Sequence, residues 1–211
     1  VTLPPGCLVA VGLKAEGALL PKGTRIVCAG GNPARLAAAL EAAPGPIAAV
    51  LSFGIAGGLD PELRTGDLVV ASRVRGPSGA YSADHDWAMR LAAATGARVG
   101  TLAGAAEVAG TPGEKARLRA MTGALAVDLE SEAAAAFAAR RGLPFAALRA
   151  IADEAGSVLP RAAAVGLNPD GSPAPGRVLL ALLRRPGELG ALLKVARDSG
   201  SAMRALRGAL T

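Results

Sequence analysis

The sequence predicts an α/β fold in which a central β-sheet is covered on both sides by helices. Three observations predict it: short apolar runs alternate with alanine-rich amphipathic stretches, most runs end in glycine, proline or an acidic residue, and hydrophobic types make up 51% of the 211 residues. A chain of this length buries a real core. With one Trp, one Tyr and three Phe, that core is aliphatic, and nucleic-acid binding by base stacking is disfavoured. The 28 glycines and 15 prolines are scattered between periodic segments, so they read as turns and not as disorder. One domain spanning 1–211 is the economical expectation, with 176–211 as a C-terminal helical extension.

Taken in order, residues 7–11 (CLVAV) and 25–29 (RIVCA) are short strands closed by glycine. Residues 33–43 form a helix with Asn32 as N-cap and Pro33 at the first helical position, stopped by Pro44-Gly45-Pro46. Residues 48–53 (AAVLSF) are a buried strand feeding the glycine turn 54–58, and 60–63 make a second turn before the strand 67–72. Residues 73–82 read as a loop. Helices at 83–94 and 113–121 flank a strand at 98–102, and a brief strand at 124–127 ends at Asp128. The alanine-rich stretch 130–141 is helical, and 145–152 (FAALRAIA) is the last strand, with Asp153 at its C-terminal end. Residues 160–175 are a loop before the C-terminal helices. Ligands of such sheets bind outside the carboxyl ends of strands, which points to 54–58, 128–130 and Asp153.

Charge and cysteine content narrow the function classes. The formal balance is +6, and from Arg161 onward eight basic residues face three acidic ones. In the tail, Leu189, Leu192, Leu193, Ala196, Met203, Leu206 and Leu210 recur at helical spacing, opposite Lys194, Arg197, Arg204 and Arg207. Such a helix packs on the core with a solvated basic face, or rests on an anionic membrane surface. No DNA-reading motif accompanies it. Cys7 and Cys28 have no Cys or His at ligand spacing, so they read as reduced thiols, without metal or disulfide. No apolar run reaches the roughly 18 residues that span a bilayer, and the opening segment carries no basic signal-peptide region. The expectation is a cytoplasmic protein.

Common catalytic motifs are missing. Neither the dinucleotide nor the P-loop glycine pattern occurs, so no nucleotide cofactor is implied, and there is no G-x-S-x-G elbow. The single histidine, His85, lies in the polar run Asp84–Asp86 and suits a surface better than a hydrolase triad. What remains is chemistry by carboxylates. Three stretches carry it: GLKAEGALL (12–20), SFGIAGGLDPELRTGDLVV (52–70) and AVDLESEAAAAFAARRGLPFAALRAIADEAG (126–156). Together they resemble the nucleoside phosphorylase and methylthioadenosine/S-adenosylhomocysteine nucleosidase superfamily. Through EKARLRAMTGALAVDLES (114–131) and the tail (177–210), the chain is most similar to hopanoid-associated phosphorylases.

The resemblance implies a three-layer fold with a central mixed sheet, and cleavage of the N-glycosidic bond of a 5′-substituted adenosine. The substrate class it singles out is adenosylhopane, with release of adenine. By the same resemblance, Asp153 protonates N7 of the leaving base, for which burial has to raise its pKa. Glu130 accepts hydrogen bonds from the ribose hydroxyls and stabilises the cationic sugar. Glu16 orients the nucleophile, in a loop about one residue shorter than is usual. Leu129 packs beside the ribose where methionine is common. Ala56, Gly57 and Gly58 let backbone approach the substrate, Asp128 beside Glu130 is a further substrate-binding candidate, and Arg35 is a candidate anion ligand should phosphate be the co-substrate. No metal is implied. Ala152 stands where a serine is common, and residues 103–110 offer no aromatic to stack on adenine, so an ordinary methylthioadenosine nucleosidase is the second expectation. A non-catalytic nucleoside- or lipid-binding protein is the alternative of another class. A homo-oligomer is also implied, and a peripheral contact of the basic tail with the inner membrane surface would suit a lipid-linked nucleoside.

Overall fold

Strand β1 (Cys7–Val11) is buried along its length, and its side chains divide alternately between two cores. Leu8 and Ala10 face one core, while Cys7, Val9 and Val11 face the other. Along β3 (Ala49–Gly58), Val50 joins the first core, and Ala49, Leu51 and Phe53 join the second. Helices α2 (Pro33–Glu41) and α5 (Ser131–Arg140) close the first core with Leu36, Leu40, Ala134, Phe137 and Ala138. The second is closed by α3 (His85–Thr95), through Trp87 and Leu91, and by the last helix, α6 (Leu189–Gly208), through Ala202 and Leu206. The three layers expected from the sequence are therefore present in this computed structural model, which describes residues 3–160, 168, 170–174, 176 and 186–209.

The sheet is mixed, with eight strands. β2 (Arg25–Cys28), β1 and β3 run parallel, and β8 (Phe145–Asp153) lies parallel to β3. β4 (Leu68–Gly76) pairs antiparallel with β8 and with β5 (Gly79–Ser82), and parallel with β6 (Arg98–Gly104). β6 is parallel to the short β7 (Ala126–Asp128), which returns antiparallel to the end of β3. The pairings β3–β8–β4–β6–β7–β3 thus form a closed circuit.

Helix starts follow the local chemistry. The Asn32 side chain accepts from the Arg35 amide at 2.9 Å, and the Asp84 side chain accepts from that of Trp87 at 2.8 Å. α4 (Pro112–Thr122) opens with a capping box between Thr111 and Glu114 and ends at the left-handed Gly123 (φ 67°).

Four expectations change. β3 continues through residues 54–58, so these glycines belong to a strand and not to a turn. Residues 73–82 form the β4–β5 hairpin instead of a loop, because Gly76 and Gly79 pair across a tight reversal. A short helix, α1 (Lys14–Gly17), follows β1. Helix α6 packs through Asp198, Ala202 and Leu206, leaving Leu189 and Leu193 exposed at 51% and 63%, so the expected apolar stripe is rotated away from the core in its first turns. Cys7 is buried and Cys28 half-buried; burial pushes the Cys7 thiol up to about 11. Among the described residues no helix is long and apolar enough to cross a membrane. Residues 161–167, 169, 175 and 177–185, with Arg161, Arg177, Arg184 and Arg185 of the basic tail, lie outside the described residues, as do Leu210 and most of the expected 160–175 loop.

Candidate active site

A cavity of about 370 Å³ opens where the ends of β3, β7 and β8 meet α1 and α6. Glu16, Ala56, Gly57, Asp128, Leu129, Glu130 and Asp153 all line it, so seven of the nine sequence-selected residues come together there. The other two are placed elsewhere. Gly58 is buried behind the wall, where a Cβ would press on the Asp153 carbonyl at 3.2 Å. Arg35 is exposed near the start of α2, with Nη1 3.5 Å from the Ala29 carbonyl oxygen, and does not line the cavity.

Asp153 owes its position to an irregularity in the β3–β8 ladder. Ala56 pairs with Ile151, but Gly57 pairs with Asp153, so Ala152 is an extra residue on β8. The bulge sets the Asp153 carboxyl against Gly57, where a Cβ would lie 3.3 Å from Oδ1. Glycine lets the carboxyl approach this closely without displacing it. The Lys115 ammonium, from α4, pairs with Asp153 Oδ2 and donates to the Glu154 carbonyl at 2.7 Å. Burial raises the Asp153 pKa, and the Lys115 charge opposes it.

Glu16 is held by three backbone amides. Oε2 accepts from Gly12 and Leu13 at 2.9 and 2.8 Å, and Oε1 accepts from Ile55 at 2.8 Å. Helix α1 exists to make this turn, which brings residue 16 back over the end of β1. Burial raises the Glu16 pKa; the Arg149 charge and these amides pull it down.

Glu130 sits at the start of α5, buried, and burial pushes its carboxyl up to about 8 against the pull of Arg149, with Asp128 and Glu16 adding to the rise. Asp128, which lines the cavity as expected, also makes contacts within the protein. Its Oδ1 accepts from the amides of Glu130 and Ser131 at 2.8 and 2.6 Å, and its side chain is 1% exposed. It caps α5 and anchors Arg149, so it positions Glu130.

Arg149 was not singled out from the sequence. In the middle of β8 and wholly buried, it reaches Asp128 through Nε and Nη2, both at 3.1 Å, Ser52 Oγ at 2.6 Å and Glu130 Oε2 at 3.6 Å. A charged residue inside the apolar run FAALRAIA was the available signal, because a buried guanidinium demands carboxylate partners. Two glycines make room for the cluster. A Cβ on Gly12 would lie 2.5 Å from Glu130 Oε1, and one on Gly54 would lie 2.4 Å from Glu16 Oε1 and 2.6 Å from Arg149 Nη1.

The remaining wall is largely apolar, with Val108, Leu129, Leu159, Leu192 and Val195, and carries Glu107 and Ser199 as its further polar residues. Among the described residues no Lys or Arg lines the cavity, and no group of His, Cys, Asp and Glu is arranged to hold a metal. The arrangement therefore offers one half-buried acid, two buried carboxyls with a shared arginine, and room for a small organic molecule.

This site sits in a chain with known relatives. It is 35% identical over 166 residues to the futalosine hydrolase of Streptomyces coelicolor, covering 65% of this chain and 70% of the relative. The fold is that of a futalosine hydrolase from Helicobacter pylori (TM-score 0.67, 14% identity, covering 97% of this chain and 96% of the other). It is also that of a Helicobacter pylori nucleosidase mutant with 5′-methylthioadenosine in its active site (TM-score 0.65, 14% identity, 99% of each chain). A Colwellia psychrerythraea nucleosidase in complex with adenine matches as well (TM-score 0.62, 18% identity, covering 97% and 95%). Residues 20–184 match the Phosphorylase superfamily as a whole, and the chain belongs to that superfamily.

Proposed function

We propose that the protein is a nucleosidase that hydrolyses the N-glycosidic bond of a 5′-substituted purine nucleoside. The observation that carries this is the placement of a half-buried, bulge-aimed Asp153 in one cavity with the carboxyls of the Glu16–Glu130–Arg149 cluster. As the C1′–N9 bond breaks, its electron pair passes into the purine, and the Asp153 carboxyl gives its proton to N7 so that the base leaves neutral. The ribosyl group becomes cationic. Glu130, near the shared arginine, accepts from the ribose hydroxyls, and its ionised form offsets that charge. Water attacks C1′ and gives its proton to the Glu16 carboxylate, whose orientation three amides fix.

Water is favoured over phosphate by the charge of the cavity. Its charged lining among the described residues is all carboxyl, including Glu107, and the arginine expected to gather an anion, Arg35, does not line it. A phosphate dianion would face Glu16 and Glu130 with no lining cation among the described residues. The hydrolases among the relatives support the same reading. For the 5′ group, the apolar wall of Val108, Leu129, Leu159, Leu192 and Val195 favours a large hydrocarbon, and adenosylhopane is the substrate we put first. Methylthioadenosine and futalosine are its rivals.

The test is incubation with adenosylhopane, 5′-methylthioadenosine and futalosine, with and without phosphate, followed by identification of base and sugar. We expect free base and a free reducing sugar, unchanged by phosphate. Asp153→Asn should lower kcat by orders of magnitude with the fold intact. Sugar 1-phosphate as the product would replace water by phosphate, and unchanged turnover in Asp153→Asn would remove the assigned acid. Binding of nucleosides without release of base from any of them would favour a binding protein.

A further inference from the structure

Lys115 has no part in the chemistry just described, and an inference about it rests on the reading of Asp153 as the acid. Its side chain is 1% exposed, it does not line the cavity, and it belongs to α4, which otherwise has little buried surface. A lysine removed from water in this way is costly unless its ammonium is fully engaged. Here it pairs with Asp153 Oδ2 and donates to the Glu154 carbonyl, which follows directly on the bulge. Asp153 Oδ1 has no hydrogen bond among the described residues. The two oxygens of one carboxyl are therefore made unequal by a single side chain.

We propose that Lys115 is the positioning residue that selects Oδ1 of Asp153 as the proton-bearing oxygen and sets the strength of that acid. An ammonium at Oδ2 draws the negative charge of the carboxyl to that atom, so the proton is carried by the other. Burial alone would hold the proton too firmly for transfer to a purine nitrogen; the ammonium eases it off and steadies the carboxylate left behind. The proton passes from Oδ1 to N7, the glycosidic electron pair passes into the base, and solvent returns a proton to Oδ1 once the base has gone. The other charges facing Asp153 do little of this. Lys194 and Asp198 of α6 pair with each other, Glu154 directs its carboxylate towards Arg64 at 4.0 Å, and β3 contributes only Gly57. Glu107 and the Glu16, Asp128 and Glu130 carboxyls line the rest of the cavity.

The test reads Asp153 directly. Carbon-13 resonances of the aspartate carboxyls are followed against pH in the full chain, with Asp153→Asn used to identify the Asp153 line. Wild type is compared with Lys115→Met, Lys115→Gln and Lys115→Arg, the glutamine retaining a donor for the Glu154 carbonyl. We expect the Asp153 midpoint to rise by about 1 to 3 pH units in the Met and Gln variants and to stay near wild type in the Arg variant. The alkaline limb of kcat/KM for purine release should move by the same amount, with the loss in kcat larger than any change in KM. A lysine that only fills space would leave the midpoint in place, so equal midpoints in wild type and a folded neutral variant overturn the proposal. If wild type releases base from no nucleoside, the enzymatic reading falls while the titration still decides the role of Lys115.

Discussion

One guanidinium, that of Arg149, serves three buried carboxyls, those of Asp128, Glu130 and Glu16. If all three were ionised the cluster would carry excess negative charge in a poorly solvated site, so the folded protein holds protons there that the unfolded chain releases. The sign for stability follows. Glu130 is raised from 4.5 to about 8, and Glu16 and Asp153 are raised as well, so between those pH values the native state binds more protons and loses stability as pH rises. We expect Tm to fall on going from pH 5 to pH 8, with a shallower slope in Glu130→Gln; thermal melts across that range check it, and a rising Tm would contradict the assignment. The glycines are equally exacting. Gly54→Ala forces the Glu16 carboxylate or the Arg149 guanidinium aside, and a shift of about 1 Å in a reacting group can cost about 100-fold. Steady-state kcat on the preferred nucleoside, with circular dichroism to confirm the fold, measures that loss. At this scale the sequence exposed Asp153, Glu130 and Glu16 because their flanking motifs resemble a family. Arg149 and Lys115 were hidden, since one sits in a strand and the other in a polar helix, and only tertiary packing shows what they touch.

Elements whose boundaries are fixed by local chemistry were the legible ones. α2 begins where Asn32 and Pro33 dictate, α4 at its Thr111–Glu114 box, and β8 is an apolar run closed by an acid. Elements defined by their neighbours were not. The glycines of β3 look like a turn in one dimension, yet they pair with β7 and β8 and make space for buried carboxyls. β5 is short, largely exposed and held by pairing with β4, so no periodicity announces it. Helix α6 shows the limit of a helical wheel: several positions match an apolar stripe, but contact with β8 selects the face of Ala202 and Leu206 and leaves Leu193 outside. Leu206 is fully buried, and Leu206→Ala should cost about 2 to 5 kcal/mol of unfolding free energy. Leu193→Ala should cost far less. Urea denaturation of the two variants separates these outcomes, and equal losses would show that α6 packs differently.

For the molecule as a whole, the closed circuit of β3, β8, β4, β6 and β7 was beyond the reach of the sequence, because closure depends on non-local pairing and β7 is only three residues long. The charge distribution was legible, but its use was not. On α6, Asp198 draws in both Lys194 and Arg197, while Arg204 and Arg207 are exposed, Arg204 donating to Ser201 Oγ at 2.8 Å. If the tail approaches an anionic bilayer, each such residue adds roughly 1 kcal/mol near that surface. We expect the full chain to bind phosphatidylserine-containing vesicles at low salt and to dissociate as salt rises, with Arg204→Glu and Arg207→Glu together abolishing binding. Co-sedimentation across a salt series reads this, and salt-independent behaviour would rule out an electrostatic contact.

If Asp153 is the acid we propose, the supernumerary Ala152 means that the smoothest version of this sheet would be an inert one. Side chains alternate faces from residue to residue, so excising that alanine would mend the ladder and turn the aspartate to the opposite side, away from any bound nucleoside. With Asp153 as the proposed acid, good strand geometry and good catalysis ask for opposite chain lengths at this point, and the sheet carries the irregular one.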